Sequence, residues 1–226
     1  MFTDRKEAAI ELAKALEVYR NKNVIILGIP RGGAVIGYYV ACYLDAEFSL
    51  LVSRKLGHPE NPEFAVGAIA EDGTSYLSDF ALKEVSRAQL DYALAVQKHE
   101  IKRRIKVLRN GEPLPPLKDR VIIIVDDGIA TGATIFAAIK MCKKQHSAKI
   151  VIAAPVAAVG ITDKLSKEAD EVVILAAPGY IHAISQVYLS FVQVSDAEVM
   201  SIYQLWKREH SRLSTRQVEQ QIVDEP

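Results

Sequence analysis

Short apolar runs along the chain predict strands that are buried on both faces. Each run is continuously apolar rather than alternating, as in parallel sheets covered by helices on both sides. The predicted strands are Val24–Gly28, Phe48–Val52, Phe64–Ala70, Val121–Val125, Lys149–Val156 and Val172–Ala176.

Helical patterns fill the intervals between these runs. The predicted helices are Glu7–Tyr19, Gly33–Leu44, Leu82–Leu108, Thr134–Gln145 and Ile161–Glu168. A last helix is expected after Ser195, because Ser195-x-x-Glu198 has the spacing of a capping box. Strands that alternate with helices in this way predict an α/β, doubly wound, mainly parallel sheet.

The pattern predicts one domain over residues 1–209, with a long inserted helix at about 82–109. That helix carries an apolar stripe on one side and a basic end, which we interpret as a solvated helix terminus rather than a nucleic-acid arm. Residues 210–226 are polar and aperiodic, which predicts a flexible tail.

Composition narrows the classes of partner. The chain has 226 residues, half of them apolar, which allows one sizeable core, and its 28 basic and 28 acidic residues cancel. Zero net charge gives no electrostatic reason to expect a nucleic-acid or membrane partner. The absence of a signal-like or membrane-length apolar segment predicts a cytoplasmic location, with Cys42 and Cys142 as buried free thiols.

The stretch from Val121 to Thr134, VIIIVDDGIATGAT, carries the most chemical information. A buried strand ends in Asp126 and Asp127, and a Gly- and Thr-rich loop then begins a helix whose free N–H groups form an anion site. Two carboxylates beside a phosphate cradle suit a ligand that presents hydroxyls and a metal next to its phosphate, such as ribose 5-phosphate. Neither a P-loop nor a Gly-x-Gly-x-x-Gly motif is present.

This motif resembles the ribose-phosphate signature of the type I phosphoribosyltransferases, a buried strand, two acids and then Thr-Gly-x-Thr. The resemblance implies that fold, with a small hood, and an enzyme that uses 5-phosphoribosyl-1-pyrophosphate (PRPP) and Mg²⁺. It implies metal contact by Asp126 and Asp127, through water, since Mg²⁺ keeps several waters. The implied PRPP-binding residues are Pro30, Arg31, Gly32, Gly33, Asp126, Asp127, Gly128, Ala130, Thr131, Gly132, Ala133 and Thr134.

A second loop, Leu27 to Gly33 (LGIPRGG), follows the first strand and also begins a helix. In the family this loop binds pyrophosphate, often through a non-proline cis peptide bond, which the resemblance places at Pro30–Arg31. Residues 52–73 lie where the family carries a mobile loop, so Arg54 and Lys55 are candidates to reach the pyrophosphate. The implied catalytic residues are Asp126, Asp127, Arg31, Arg54 and Lys55.

The sequence does not identify the acceptor. Enzymes for 6-oxopurines have an aspartate before Thr-Gly, where this chain has Ala130, which argues against those bases. A hood built from the terminal segments and about residues 177–194 would cover a nucleobase-like acceptor, with Tyr180 and Tyr188 as base-binding candidates. By resemblance, a homodimer is expected.

Three other functions fit the sequence less well. A regulatory protein could bind PRPP without turnover, although no helix-turn-helix pattern is present. A pyrophosphokinase would need an ATP site, for which the sequence has no signature. A hydrolase is remote, because the sequence has neither Gly-x-Ser-x-Gly nor His-Glu-x-x-His.

Overall fold

A computed structural model describes residues 1–179 and 183–224, with the side chains of 62, 63 and 211–224 left undescribed. In chain order the elements are α1 (Arg5–Ala15), β1 (Val24–Gly28), α2 (Gly32–Leu44), β2 (Glu47–Leu50), β3 (Ser53–His58), β4 (Asn61–Ala70), β5 (Ser75–Leu77), α3 (Asp79–Glu84), α4 (Arg87–Arg109), β6 (Val121–Val125), α5 (Ala133–Lys144), β7 (Lys149–Val156), α6 (Ile161–Leu165), β8 (Glu171–Ala176) and α7 (Asp196–Asp224). Short 3₁₀ turns lie at Glu17–Tyr19 and Ile184–Val187.

The central sheet is parallel and has the order β2-β1-β6-β7-β8. Its strands alternate between two core clusters, so that Ile26 and Ile123 face one layer while Leu27 and Ile124 face the other. This confirms the predicted α/β fold with a doubly wound, mainly parallel sheet. Because β1 connects outward to β2 on one side and lies beside β6 on the other, the topological switch point falls between β1 and β6.

One predicted strand lies in a different sheet. Phe64–Ala70 was predicted as part of the parallel sheet, but it belongs to β4 in a separate antiparallel sheet of order β3-β4-β5. The reason is the connection, because the turn between His58 and Asn61 is too short for a parallel crossover. The segment expected to be the mobile loop is therefore a β-hairpin.

The predicted inserted helix is divided in two. α3 ends at Glu84, and α4 starts after Ser86, whose side chain accepts from the Gln89 amide in a capping box. The cap explains the break, since Ser86 satisfies the free N–H groups of a new helix start. The apolar stripe is confirmed, with Leu90, Ile101 and Leu108 buried.

The last helix, α7, begins at the predicted capping box between Ser195 and Glu198. Its aromatic side chains pack on the core, with the Trp206 and Phe48 rings 6.0 Å apart. The helical backbone continues to Asp224, so residues 210–224 extend α7. The flexibility that the polar sequence predicts for residues 210–226 stays a prediction.

The two cysteines differ in exposure. Both are free and Cys142 is buried as predicted, but Cys42 is exposed, so its predicted burial is wrong. Its position on the largely apolar helix α2 explains the error, because an apolar neighbourhood in sequence does not show which face of a helix a residue occupies. Across residues 1–179 and 183–224, no helix has both the length and the apolar character needed to cross a bilayer.

A buried ion pair joins the end of α4 to the junction of the two sheets. Arg109 is only 1% exposed, and it donates to the Leu50 carbonyl at 2.6 Å and to Glu71 Oε1 at 2.6 Å. The other carboxylate oxygen of Glu71 accepts from the Val52 amide at 2.9 Å. The chain between β2 and β3 is thus held by charged hydrogen bonds.

We expect Arg109→Met to lower the free energy of unfolding by about 3–5 kcal/mol, because it leaves the Glu71 carboxylate buried and unpaired. Denaturant unfolding measures the change. Arg87→Met is the control, since the Arg87 side chain is 88% exposed in a surface pair. Equal stability of the two variants would show that the buried pair does not hold this junction.

Candidate active site

Two loops leave the same edge of the central sheet side by side. Gly28 at the end of β1 is in register with Val125 at the end of β6, and the Ile29 amide donates to the Val125 carbonyl at 3.0 Å. The chain then enters α2 on one side and α5 on the other. Two helix N-termini therefore converge at the switch point, where open α/β sheets bind ligands.

Close packing at the start of α2 requires glycine. A Cβ atom on Gly32 would overlap the Asp127 carboxylate, and one on Gly33 would lie 2.7 Å from the Val125 carbonyl oxygen. Because no side chain fits at either position, the LGIPRGG loop lies directly against the two acids. The peptide bond Pro30–Arg31 is cis, as the family resemblance predicted.

The second loop is anchored at its centre and open at its tip. The Ile129 amide donates to the Val156 carbonyl at 2.9 Å, and the Ala158 amide donates back to Ile129 at 2.8 Å. Beyond this anchor Ala130 and Thr131 are exposed, and Gly132 caps α5 with φ of 71°. The first-turn N–H groups of α5 have no partners within the helix, so the predicted phosphate cradle has exposed residues and free donors.

The pKa of the Asp126 carboxyl group is shifted by its surroundings. Burial of its carboxyl group, followed by the negative charge of Asp127, raises the pKa of Asp126 well above its usual value. The charge of Lys55 acts in the opposite direction. Asp126 Oδ1 also accepts from the Asp127 amide at 2.9 Å, which fixes the carboxyl group at the end of β6.

Asp127 is held by Arg5 near the N-terminus and by Tyr188 from the segment before α7. Its Oδ2 accepts from Arg5 Nε at 2.7 Å, and its carbonyl accepts from the Tyr188 hydroxyl at 2.6 Å. Sequence analysis missed Arg5, because it lies 122 positions from its partner and belongs to no motif. Tyr188, which was predicted to bind the base, is buried, and its hydroxyl holds the second loop through the bond to the Asp127 carbonyl. Tyr180 lies outside the described residues.

A cavity of about 380 Å³ lies beside these loops. Arg31 and Gly32 line it from the LGIPRGG loop, and Asp127 lines it from the second loop. Its other walls come from Arg5 and from residues within 184–194. The lining residues are Arg5, Arg31, Gly32, Asp127, Ile184, Phe191, Gln193 and Val194. The structure thus brings the predicted Arg31, Gly32 and Asp127 together, and it adds Phe191 as the aromatic wall.

The two predicted hairpin cations have different surroundings. Arg54 donates through Nε to the Gln97 side chain of α4 at 3.1 Å. Burial, followed by the positive charge of Arg104, lowers the pKa of Arg54. Lys55 is exposed, and its charge acts on Asp126. Of the two, Lys55 acts electrostatically on Asp126, whereas Arg54 bonds to the inserted helix.

The two acids are compatible with a metal ion that takes most of its ligands from outside the protein. Within the described part of the chain, no group of three or more His, Cys, Asp or Glu side chains could hold an ion alone. Two carboxylates at the end of a strand nevertheless fit Mg²⁺, which uses few protein ligands and takes waters and phosphate oxygens for the rest. The donor set is thus compatible with Mg²⁺ that arrives with a phosphorylated ligand.

Comparison with known proteins identifies the family. Residues 3–191 match the family model described as the phosphoribosyl transferase domain. The chain belongs to the phosphoribosyltransferase family. The parallel sheet with acids after β6 gives it the type I fold.

Several relatives agree with this assignment. Two Mycobacterium tuberculosis proteins, from strains H37Rv and CDC 1551, have phosphoribosyl transferase in their names and are 41% identical over 203 residues, 89% of this chain. The match covers 46% of each, so the chain spans about half the length of these curated relatives. The crystal structure of TT1426 from Thermus thermophilus is 36% identical with a TM-score of 0.79, covering 91% of this chain and 98% of that one.

We expect Gly32→Ala to displace the Asp127 carboxylate and to lower the free energy of unfolding by about 1–3 kcal/mol, as overpacking does. Denaturant unfolding and a crystal structure of the variant measure both effects. Gly179→Ala is the matched control, because a Cβ there meets no atom of the described residues within 4 Å. An undisturbed Asp127 in Gly32→Ala would contradict the tight packing of the two loops.

Proposed function

We propose that this phosphoribosyltransferase-family chain transfers the phosphoribosyl group of PRPP to a nucleobase or similar acceptor, with release of pyrophosphate. The convergence of two helix starts on Asp126 and Asp127 carries the proposal. A helix N-terminus attracts phosphate, and a ligand with a phosphate at each end and hydroxyls between them matches two such sites flanking a pair of acids.

The 5′-phosphate would bind at the start of α5. The exposed tip at Ala130 and Thr131, the Gly132 cap and the free first-turn amides of α5 supply N–H and hydroxyl donors. Gly128, Ala133 and Thr134 complete this loop. The anchor at Ile129 holds the donors in place before the ligand arrives, which reduces the cost of ordering them on binding.

The pyrophosphate would bind at the start of α2. Pro30, Arg31, Gly32 and Gly33 form this loop. Arg31 lines the cavity, and its guanidinium would donate to phosphate oxygens. Lys55, whose charge already acts on Asp126, would add a second cation. Arg54 would join the pyrophosphate only after giving up its bond to Gln97.

Asp126 and Asp127 would bind the ribose hydroxyls and would contact Mg²⁺ through water. The metal would neutralise negative charge on the leaving pyrophosphate. As the bond to the anomeric carbon breaks, positive charge develops on the sugar, and a fixed carboxylate nearby stabilises it. The hood residues Ile184, Phe191 and Val194 would exclude water from the reacting carbon.

The acceptor would enter on the hood side of the cavity. Phe191 and Ile184 give apolar walls, and the Gln193 amide can donate or accept a hydrogen bond. Ala130 in place of an aspartate argues against 6-oxopurines. A nucleobase acceptor would make this a nucleotide-salvage enzyme; the cytoplasmic location and the homodimer stay predictions.

Pyrophosphate release from PRPP with Mg²⁺ and a panel of nucleobases tests the proposal. We expect pyrophosphate release with at least one base. The double variant Asp126→Asn/Asp127→Asn should release none, because amide side chains lack the negative charge that would hold the ribose and the metal. Asp91→Asn on the surface of α4 is the control and should retain full activity.

Calorimetry with PRPP and Mg²⁺ separates the alternatives. PRPP binding without release for any base would favour the regulatory protein over the enzyme. Unchanged PRPP affinity in the double variant would show that Asp126 and Asp127 do not form the PRPP site.

A further inference from the structure

Arg5 reaches from the first turn of α1 into the candidate active site. Its Nε lies 2.7 Å from Asp127 Oδ2, and the two side chains are only 11% and 15% exposed. A charged hydrogen bond shielded from water is stronger than a surface pair, whose net contribution is small. The contact is therefore suited to fix the orientation of Asp127.

The Arg5 guanidinium is itself fixed from two further directions. One Nη donates to the Val192 carbonyl at 2.7 Å, and the guanidinium carbon lies 3.8 Å from the centre of the Phe191 ring. These contacts hold the planar group against the cavity wall, so that Asp127 has a rigid partner rather than a flexible one.

The rest of the hood also contacts Asp127. Backbone hydrogen bonds join Phe2 to Val187 and Leu189, each at 2.8 Å, so the N-terminus and residues 187–189 form one unit. From this unit the Tyr188 hydroxyl donates to the Asp127 carbonyl at 2.6 Å. Asp127 is consequently held at its side chain and at its backbone by the hood.

Asp127 needs such a partner because its neighbour is also an acid. Two adjacent carboxyl groups at the end of β6 repel one another when both are charged, and the repulsion favours rotamers that separate them. Arg5 supplies the opposite charge in direct contact with Asp127, which keeps that carboxylate in one orientation.

We propose that Arg5 is a positioning residue, which orients the Asp127 carboxylate so that it can accept a hydrogen bond from a ribose hydroxyl. This inference rests on the proposed function, because it requires that Asp127 bind the sugar. It gives the N-terminal segment a role in recognising ribose, separate from the phosphate-binding loops. Arg5 acts through Asp127 and does not need to touch the reacting atoms.

Calorimetric binding of ribose 5-phosphate, 2-deoxyribose 5-phosphate and inorganic phosphate to the full chain tests the inference. We expect Arg5→Gln to weaken ribose 5-phosphate binding by about tenfold or more, the range for one charged hydrogen bond. The preference for ribose 5-phosphate over its 2-deoxy form should fall, while phosphate affinity stays within about twofold. Arg87→Gln, an exposed arginine, is the control and should bind all three ligands as the unmodified chain does.

The outcomes distinguish this inference from the proposed function. If the unmodified chain prefers ribose 5-phosphate and Arg5→Gln keeps that preference, the role of Arg5 is overturned and the proposed function stands. A parallel loss of all three ligands in Arg5→Gln overturns it as well, since that pattern reports a general structural defect. If the unmodified chain does not bind ribose 5-phosphate, the proposed function falls and the inference with it.

Arg5→Lys covers the case in which Arg5→Gln fails to fold. Lysine keeps the positive charge but lacks the forked guanidinium, which bonds to Asp127 and Val192 together. We expect a reduced preference for ribose 5-phosphate over its 2-deoxy form in the folded lysine variant. An unchanged preference would overturn the positioning role.

Discussion

The site depends on the direct contact between the start of α2 and the Asp127 carboxylate. That contact exists because β1 and β6 pair in register to their last residues, so that both chains leave the sheet at the same level. Glycine at positions 32 and 33 then lets the loop approach the acids without a side chain between them. The starts of α2 and α5 and the two acids consequently lie together as one packed unit at this edge of the sheet.

The hood is a second layer built on this unit. Arg5 and Tyr188 are far apart in the sequence, and both bind Asp127. No side chain fits at Gly128 either, because a Cβ atom there would overlap the hood residue Ile184. Contacts to Asp127 thus connect the two loops to the segments that form the other walls of the cavity.

Sequence patterns predicted the parts of the fold whose local signal is strong. The continuous apolar runs of β1, β6, β7 and β8 can be buried only in a covered sheet, and the VIIIVDDGIATGAT stretch combines strand, acids and helix start within fourteen residues. Phe64–Ala70 has a similar apolar run, but the run does not specify its neighbour, and the short turn before it decided the sheet. The break at Ser86 was hidden because the apolar periodicity continues across a capping residue.

The contacts of the hood could not be predicted in the same way. The Arg5–Asp127 pair joins residues 122 positions apart, and a single arginine near a chain terminus carries no pattern. The aromatic at position 188 could be recognised, but not the direction of its hydroxyl, which depends on how residues 187–189 pair with Phe2. Such contacts follow from tertiary packing and are visible only in the folded chain.

A crystal structure of the chain with PRPP and Mg²⁺ bound would show where the ligand lies. We expect the 5′-phosphate at the amides of residues 130–134, the ribose hydroxyls on the two acids, and the pyrophosphate at the start of α2 beside Arg31. Density for the ligand in any other cleft, with the space between α2 and α5 empty, would contradict this placement.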